Sequence, residues 1–105
     1  VYNKVIFIYT DGKNLFSKYP KIIENRLLFQ SLGTITFNLT ATKKYLIITS
    51  AETSANDSGL YLVTPTSYGG NLVSVVSEQY FSASLSNLVL SVSVSKNINF
   101  TLLEI

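Results

Sequence analysis

Along the last quarter of the chain, apolar and polar side chains alternate with a period of two. Phe81, Ala83 and Leu85 are separated by serines. Leu88, Leu90, Val92 and Val94 are interleaved with Val89, Ser91 and Ser93, and Ile98, Phe100 and Leu102 with Asn99 and Thr101. Alternation of this kind predicts half-buried strands, here over residues 81–85, 88–94 and 98–105. Ser86-Asn87 and residues 95–97 sit where tight hairpin connections belong. Residues 34–40 (TITFNLT) alternate in the same way, with Ile35, Phe37 and Leu39 inward.

Other segments are apolar on both faces. Residues 4–10 (KVIFIYT), 45–50 (YLIITS) and 59–63 (GLYLV) are of this kind. A strand wetted on one side would alternate, so these are expected to be covered twice, by the domain itself or by a neighbouring subunit. Turn formers bound them: Asp11-Gly12, the SANDSG run at 54–59, and TSYGGN at 66–71, with Pro65 expected to end the strand before it. Residues 72–76 supply one more strand. Residues 20–32 read in two ways: a short helix stopped by Gly33, or two short strands, KII and RLLF, turning at Glu24-Asn25. The β-rich remainder favours strands. The expected fold is all-β, an antiparallel β-sandwich or barrel, jelly-roll-like, of about eight short strands, with one short helix or hairpin around residues 20–32.

Composition narrows what such a fold can do. The 105 residues make a single β domain large enough to bury a core without disulfides. Hydrophobic residues are 47% and charged ones 13%, about half the usual charged fraction, so Ser, Thr and Asn must supply the polar surface. A net charge of +2 with a single arginine, Arg26, lacks the clustered basic face that nucleic acid requires. No early apolar run approaches the roughly 20 residues of a membrane helix, so no membrane insertion is expected. With no methionine and Val1 first, the chain reads as a fragment of a longer polypeptide.

Reactive chemistry is sparse. No histidine is present, which excludes Ser-His-Asp catalysis and the common histidine metal sites; no cysteine is present either, which excludes thiol chemistry. The acids Asp11, Glu24, Glu52, Asp57, Glu78 and Glu104 are spread one per segment. Most fall in expected turns and read as solvated residues there, not as the facing carboxylates of a glycosidase. Asn56-Asp57-Ser58-Gly59 is too thin for a calcium loop. No catalytic residue, metal or cofactor is therefore assigned. The candidate ligand-binding residues are Tyr68, Asn71, Asn56 and Asp57, all in turn clusters. Tyr68, next to Gly69-Gly70, offers a ring face and a hydroxyl for stacking and hydrogen bonding to a sugar, or else folds back over the end of the core. Tyr45 and Tyr61 read as core or interface residues.

The segments KKYLIITS, SANDSG and GLYLV, the glycine pair, and the closing run that ends INFTLLEI together resemble the C-terminal domains of phage tail-fibre and minor tail proteins. The likeness runs over residues 33–105 and rests on patterns of apolar strands; residues 1–32 have no counterpart in it. It implies a distal, receptor-binding head at the tip of a fibre, a viral structural protein working as a homotrimer. Such a head is carried on the virion, outside the host cell, and mediates attachment to a host cell-surface glycan or protein receptor. This family has no shared catalytic motif, so no site residue is carried over. The alternative is a bacterial surface adhesin-type β-sandwich that binds polysaccharide or protein. An enzyme ranks behind both.

Overall fold

The computed structural model describes residues 21–51 and 58–105. They form β1 (Lys21–Leu28), a 3-10 turn (Gln30–Leu32), β2 (Ile35–Asn38), β3 (Tyr45–Ala51), β4 (Ser58–Thr66), β5 (Gly69–Val76), β6 (Phe81–Ser86), β7 (Val89–Val94) and β8 (Ile98–Glu104). The strands make a five-stranded sheet in the order β1-β8-β3-β4-β5 and a three-stranded sheet in the order β2-β7-β6. Every neighbouring pair is antiparallel. Two separate sheets make this a sandwich and not a closed barrel. The pairs β1–β8, β2–β7 and β4–β5 are those of a jelly roll, but β6 pairs with β7 and not with β3, giving five strands against three. The strand expected at residues 4–10 lies outside the described residues.

The alternating strands behave as their period dictates. Ile35, Phe37, Leu90, Val92, Phe81, Ala83 and Leu85 point from the small sheet into the core, and Tyr45, Ile47, Tyr61, Val63, Phe100 and Leu102 meet them from the large one. Aromatic rings join the two layers. Phe100, fully buried, stacks on Phe37 with centroids 5.6 Å apart and on Phe81 at 5.9 Å; Phe81 in turn packs against Tyr61 at 5.1 Å. These separations fall in the favourable range for ring pairs.

The outer faces of the two sheets differ in kind. On the small sheet, Thr36, Ser91 and Ser84 form one cross-strand row, with Ser82–Ser93 beside it; this is a polar, wetted face. On the large sheet, register aligns Ile22, Leu103, Leu46, Leu62 and Val73 across all five strands. The next row is Asn25, Thr101, Ile48, Leu60 and Val76. No charged residue falls in either row. Ile48, on the central strand, is 44% exposed, and Ile22, Val73 and Val76 are exposed with it. Strands 45–50 and 59–63 are thus apolar on both faces, as their sequence indicates, and among the described residues no element lies over the outer face.

Three expectations are corrected. Residues 21–32 form neither one continuous helix nor two strands turning at Glu24-Asn25, but one edge strand, β1, paired along its length with β8 and followed by a single 3-10 turn that ends, as expected of the helix, at Gly33. A bulge between Ile22 and Glu24 shifts the side-chain alternation there, so the sequence shows neither clean period. Pro65 does not end its strand, because β4 runs on to Thr66. The ladder to β3 has stopped at Val63–Tyr45, so a missing N–H costs nothing on that side. Finally, residues 95–97 are not a hairpin; they carry the chain from β7 in the small sheet to β8 in the large one. The Ser95 N–H donates to the Tyr80 carbonyl (2.9 Å) and the Lys96 ammonium lies 4.1 Å from the centroid of the Tyr80 ring, which pins this crossing to the one before β6. The other tight turn is as expected: Ser86 pairs with Val89 across Asn87-Leu88, with Asn87 at φ 55.

Phe100→Ala is expected to destabilise the domain by about 3–5 kcal/mol through the cavity it leaves. Ser84→Ala on the wetted face should stay within about 0.5 kcal/mol of wild type. Urea unfolding of the two variants measures both.

Candidate functional site

The β4–β5 hairpin turns in two residues, Ser67 and Tyr68, between the paired Thr66 and Gly69. Gly69 and Gly70 sit at φ 140 and 105, which side-chain-bearing residues rarely adopt. A Cβ on Gly70 would lie 2.5 Å from the Thr64 carbonyl oxygen. The Thr66 hydroxyl accepts from the Tyr68 N–H (3.3 Å), fixing the turn. Tyr68 is therefore held at the tip, 99% exposed, and does not fold back over the core.

Beside this tip runs the connection from β2 to β3. The Leu39 N–H donates to the Leu88 carbonyl (2.7 Å) and the Lys43 N–H to the Thr40 carbonyl (3.3 Å), and the buried Tyr45 hydroxyl accepts from the Thr40 N–H (2.9 Å). Thr42 takes φ 73, an outlying conformation for a β-branched residue. Lys43 is paired with Glu104 at 3.3 Å, and the Ile105 N–H donates to the Lys44 carbonyl (2.8 Å). Between the connection and the hairpin lies an open groove of about 350 Å³, walled by residues 41–44 on one side and 64–68 on the other. That size is at the small end of ligand pockets.

Of the residues singled out from sequence, Tyr68 lines this groove. Asn71 is exposed on β5 opposite Thr64, whose hydroxyl donates to its carbonyl (3.4 Å), and it is not part of the wall. Asn56 and Asp57 lie outside the described residues. Tyr45 and Tyr61 are core residues whose hydroxyls hold connections. The sequence reading overlooked Thr42, Lys43 and Lys44 because they lie more than twenty residues from Tyr68. The β3–β4 register brings them together: Tyr45 pairs with Val63, so extending the ladder by one residue sets Lys44 beside Thr64.

Glu78 departs from the expectation of a solvated turn acid, since it is only 4% exposed. Its N–H donates to the Tyr61 hydroxyl (2.7 Å) and its Oε1 accepts from the Tyr80 N–H (2.9 Å), so the carboxylate folds in to close its own turn. Glu24 lies in a strand, not a turn, and Glu104 in the strand expected over residues 98–105. The Oε2 of Glu78 and the Thr49 hydroxyl are buried without a hydrogen-bond partner. Gly59 separates the chains here: a Cβ on it would lie 2.6 Å from Thr49 Oγ1 and 3.0 Å from Glu78 Cβ. Among the described residues no group of three or more acids could hold a metal ion, and no helix is long and apolar enough to cross a membrane. Compared with protein-family models, curated proteins and solved structures, the chain matches none.

Thr42→Asn is expected to raise stability by up to about 1 kcal/mol, since Asn tolerates positive φ better than a β-branched residue. Gly59→Ala should lower it by about 1–3 kcal/mol through overpacking. Thermal and denaturant melts of the two variants, moving in opposite directions, check both.

Proposed function

We propose that the chain is a non-catalytic attachment head. It assembles with copies of itself through the outer face of its five-stranded sheet and presents its hairpin end to a host surface, as the distal domain of a phage tail fibre. The observation that carries this reading is the uncharged, two-row apolar face centred on Ile48 and Leu62. Apolar area left in water forgoes about 25 cal/mol per Å², and large exposed apolar patches mark interaction surfaces. A closed homotrimer removes the same face from water on every copy. The sequence likeness to tail-fibre heads supports the virion setting, outside the host cell, and a cell-surface glycan as the receptor. The groove at Tyr68 lies at one end of the apolar rows, where Thr64 and Asn71 continue the ladder, so assembly through this face leaves the hairpin tip at its rim.

Light scattering on a sizing column tests assembly. Wild type is expected to run as a trimer, and Ile48→Lys, which sets a charge in the middle of the face, as a folded monomer with an unchanged β-sheet circular-dichroism spectrum. A wild type that stays monomeric across all concentrations contradicts the fibre-head reading and favours the adhesin-type sandwich.

A further inference from the structure

We infer that the free edge of β5 is a second self-association surface, at which two copies pair antiparallel, strand to strand, about a two-fold axis at Leu72. The inference goes beyond the assembly proposed above, which uses the outer face of the large sheet and not its edge.

β5 ends the five-stranded sheet: it pairs with β4 and, among the described residues, with no other strand. The two-residue turn sets the phase of that pairing. The pair that flanks such a turn, here Thr66–Gly69, is of the hydrogen-bonded kind, and so is every second pair after it, Thr64–Asn71 and Leu62–Val73. Pro65, which has no N–H to give, falls in the intervening position opposite Gly70, as this phase requires. The N–H and C=O groups of Gly70, Leu72 and Ser74 therefore point away from β4, along the open edge.

Open edges are usually blunted by charge, proline, a bulge or shortness. β1, the opposite edge of the sheet, carries Lys21, Glu24 and Arg26 and a bulge. β2 and β6, which end the small sheet, are four and six residues long. β5, GGNLVSVV, has neither charge nor proline over eight residues, and Val73, Val75 and Val76 are all exposed on it. Its one irregularity, the register shift at Val75, confines regular pairing to residues 70–74.

That stretch is complementary to itself. Its outward groups at 70, 72 and 74 are symmetric about Leu72. A two-fold axis there pairs Leu72 with Leu72 of the second copy, and Gly70 with Ser74 of the second copy, each in the hydrogen-bonded manner. Asn71 then stands opposite Val73 of the second copy, and no like charges meet. Leu72, partly buried against the core, meets its mate across the joint. The outer apolar rows, which end at Val73 and Val76, run on into those of the second copy. A partner strand without this symmetry gains the backbone bonds but not the leucine pair. So short a contact falls below the roughly 1,000 Å² of a stable interface, which places pairing in concentrated protein, above the range of a sizing column.

The test uses Ile48→Lys as background, so that the edge is read apart from the outer face. Diffusion and amide hydrogen exchange of this variant are followed by NMR from about 0.05 to about 1 mM, the range in which a weak contact forms. The apparent mass is expected to rise from one chain towards two. The Leu72 and Ser74 amides should slow with it, at least about twofold as half the chains pair, while those of β1 stay unchanged. Adding Ser74→Pro removes an outward N–H and spares the ladder to β4; the rise in mass should vanish with the β-sheet circular-dichroism spectrum kept. Rapid exchange of Leu72 and Ser74 at every concentration overturns the inference and leaves the edge to a different protein. Slow exchange that is the same at every concentration means that the edge is paired within one chain, which overturns it too. A mass that doubles without any change at β5, or doubles equally with Ser74→Pro, puts the contact elsewhere and has the same consequence. None of these outcomes touches assembly through the outer face, which Ile48→Lys has already removed.

Discussion

The two sheets pack around one fully buried ring. Phe100 lies on β8, between β1 and β3 in the large sheet, and its ring stacks on Phe37 and Phe81 of the small one. Phe81 then meets Tyr61, whose hydroxyl takes the Glu78 N–H. Core contact and loop anchoring are therefore continuous: the ring that fills the sandwich sits against the tyrosine that fixes the β5–β6 crossing. A second tyrosine, Tyr45, does the same for the β2–β3 crossing through Thr40. Because cores are close-packed and transmit displacement, the groove wall at residues 41–44 is positioned by the same packing that joins the layers.

That packing uses up only one face of each sheet, and the remaining faces divide the labour. The small sheet turns serines and threonines outward and needs no cover. The large sheet turns out leucine, isoleucine and valine from every strand. One face is thus suited to solvent and the other to a protein surface, while the hairpin end between them carries Tyr68 and Lys44. In the proposed reading, assembly and recognition fall on different parts of one small domain.

The sequence revealed the fold wherever side-chain period and environment agreed. The serine-spaced strands β6 and β7 form one hairpin with its turn at Asn87, and β3 and β4 were recognisable as two-faced. It misled where tertiary pairing overrode local signals. β1 is a single strand only because β8 pairs along it, and its bulge hides the period. Residues 95–97 look like a hairpin turn because three polar residues serve equally well to cross between sheets. The site was half legible. Tyr68 stood out from its glycines, but its partners Thr42 and Lys44 are joined to it only through strand register. Glu78 was misread because burial of an acid is set by the Tyr61 hydroxyl and Tyr80 N–H, seventeen residues before it and two after.

The central claim is that the outer face of the large sheet is covered by other copies of the chain. The most direct measurement is the relaxation of methyl resonances by a soluble paramagnetic probe, in protein concentrated enough to assemble. If the account holds, the Ile48 and Val76 methyls will be nearly as protected as Leu90 in the core, while the Tyr68 ring protons relax strongly. If Ile48 and Val76 relax as strongly as Tyr68, the face is open to water and the account of assembly is wrong.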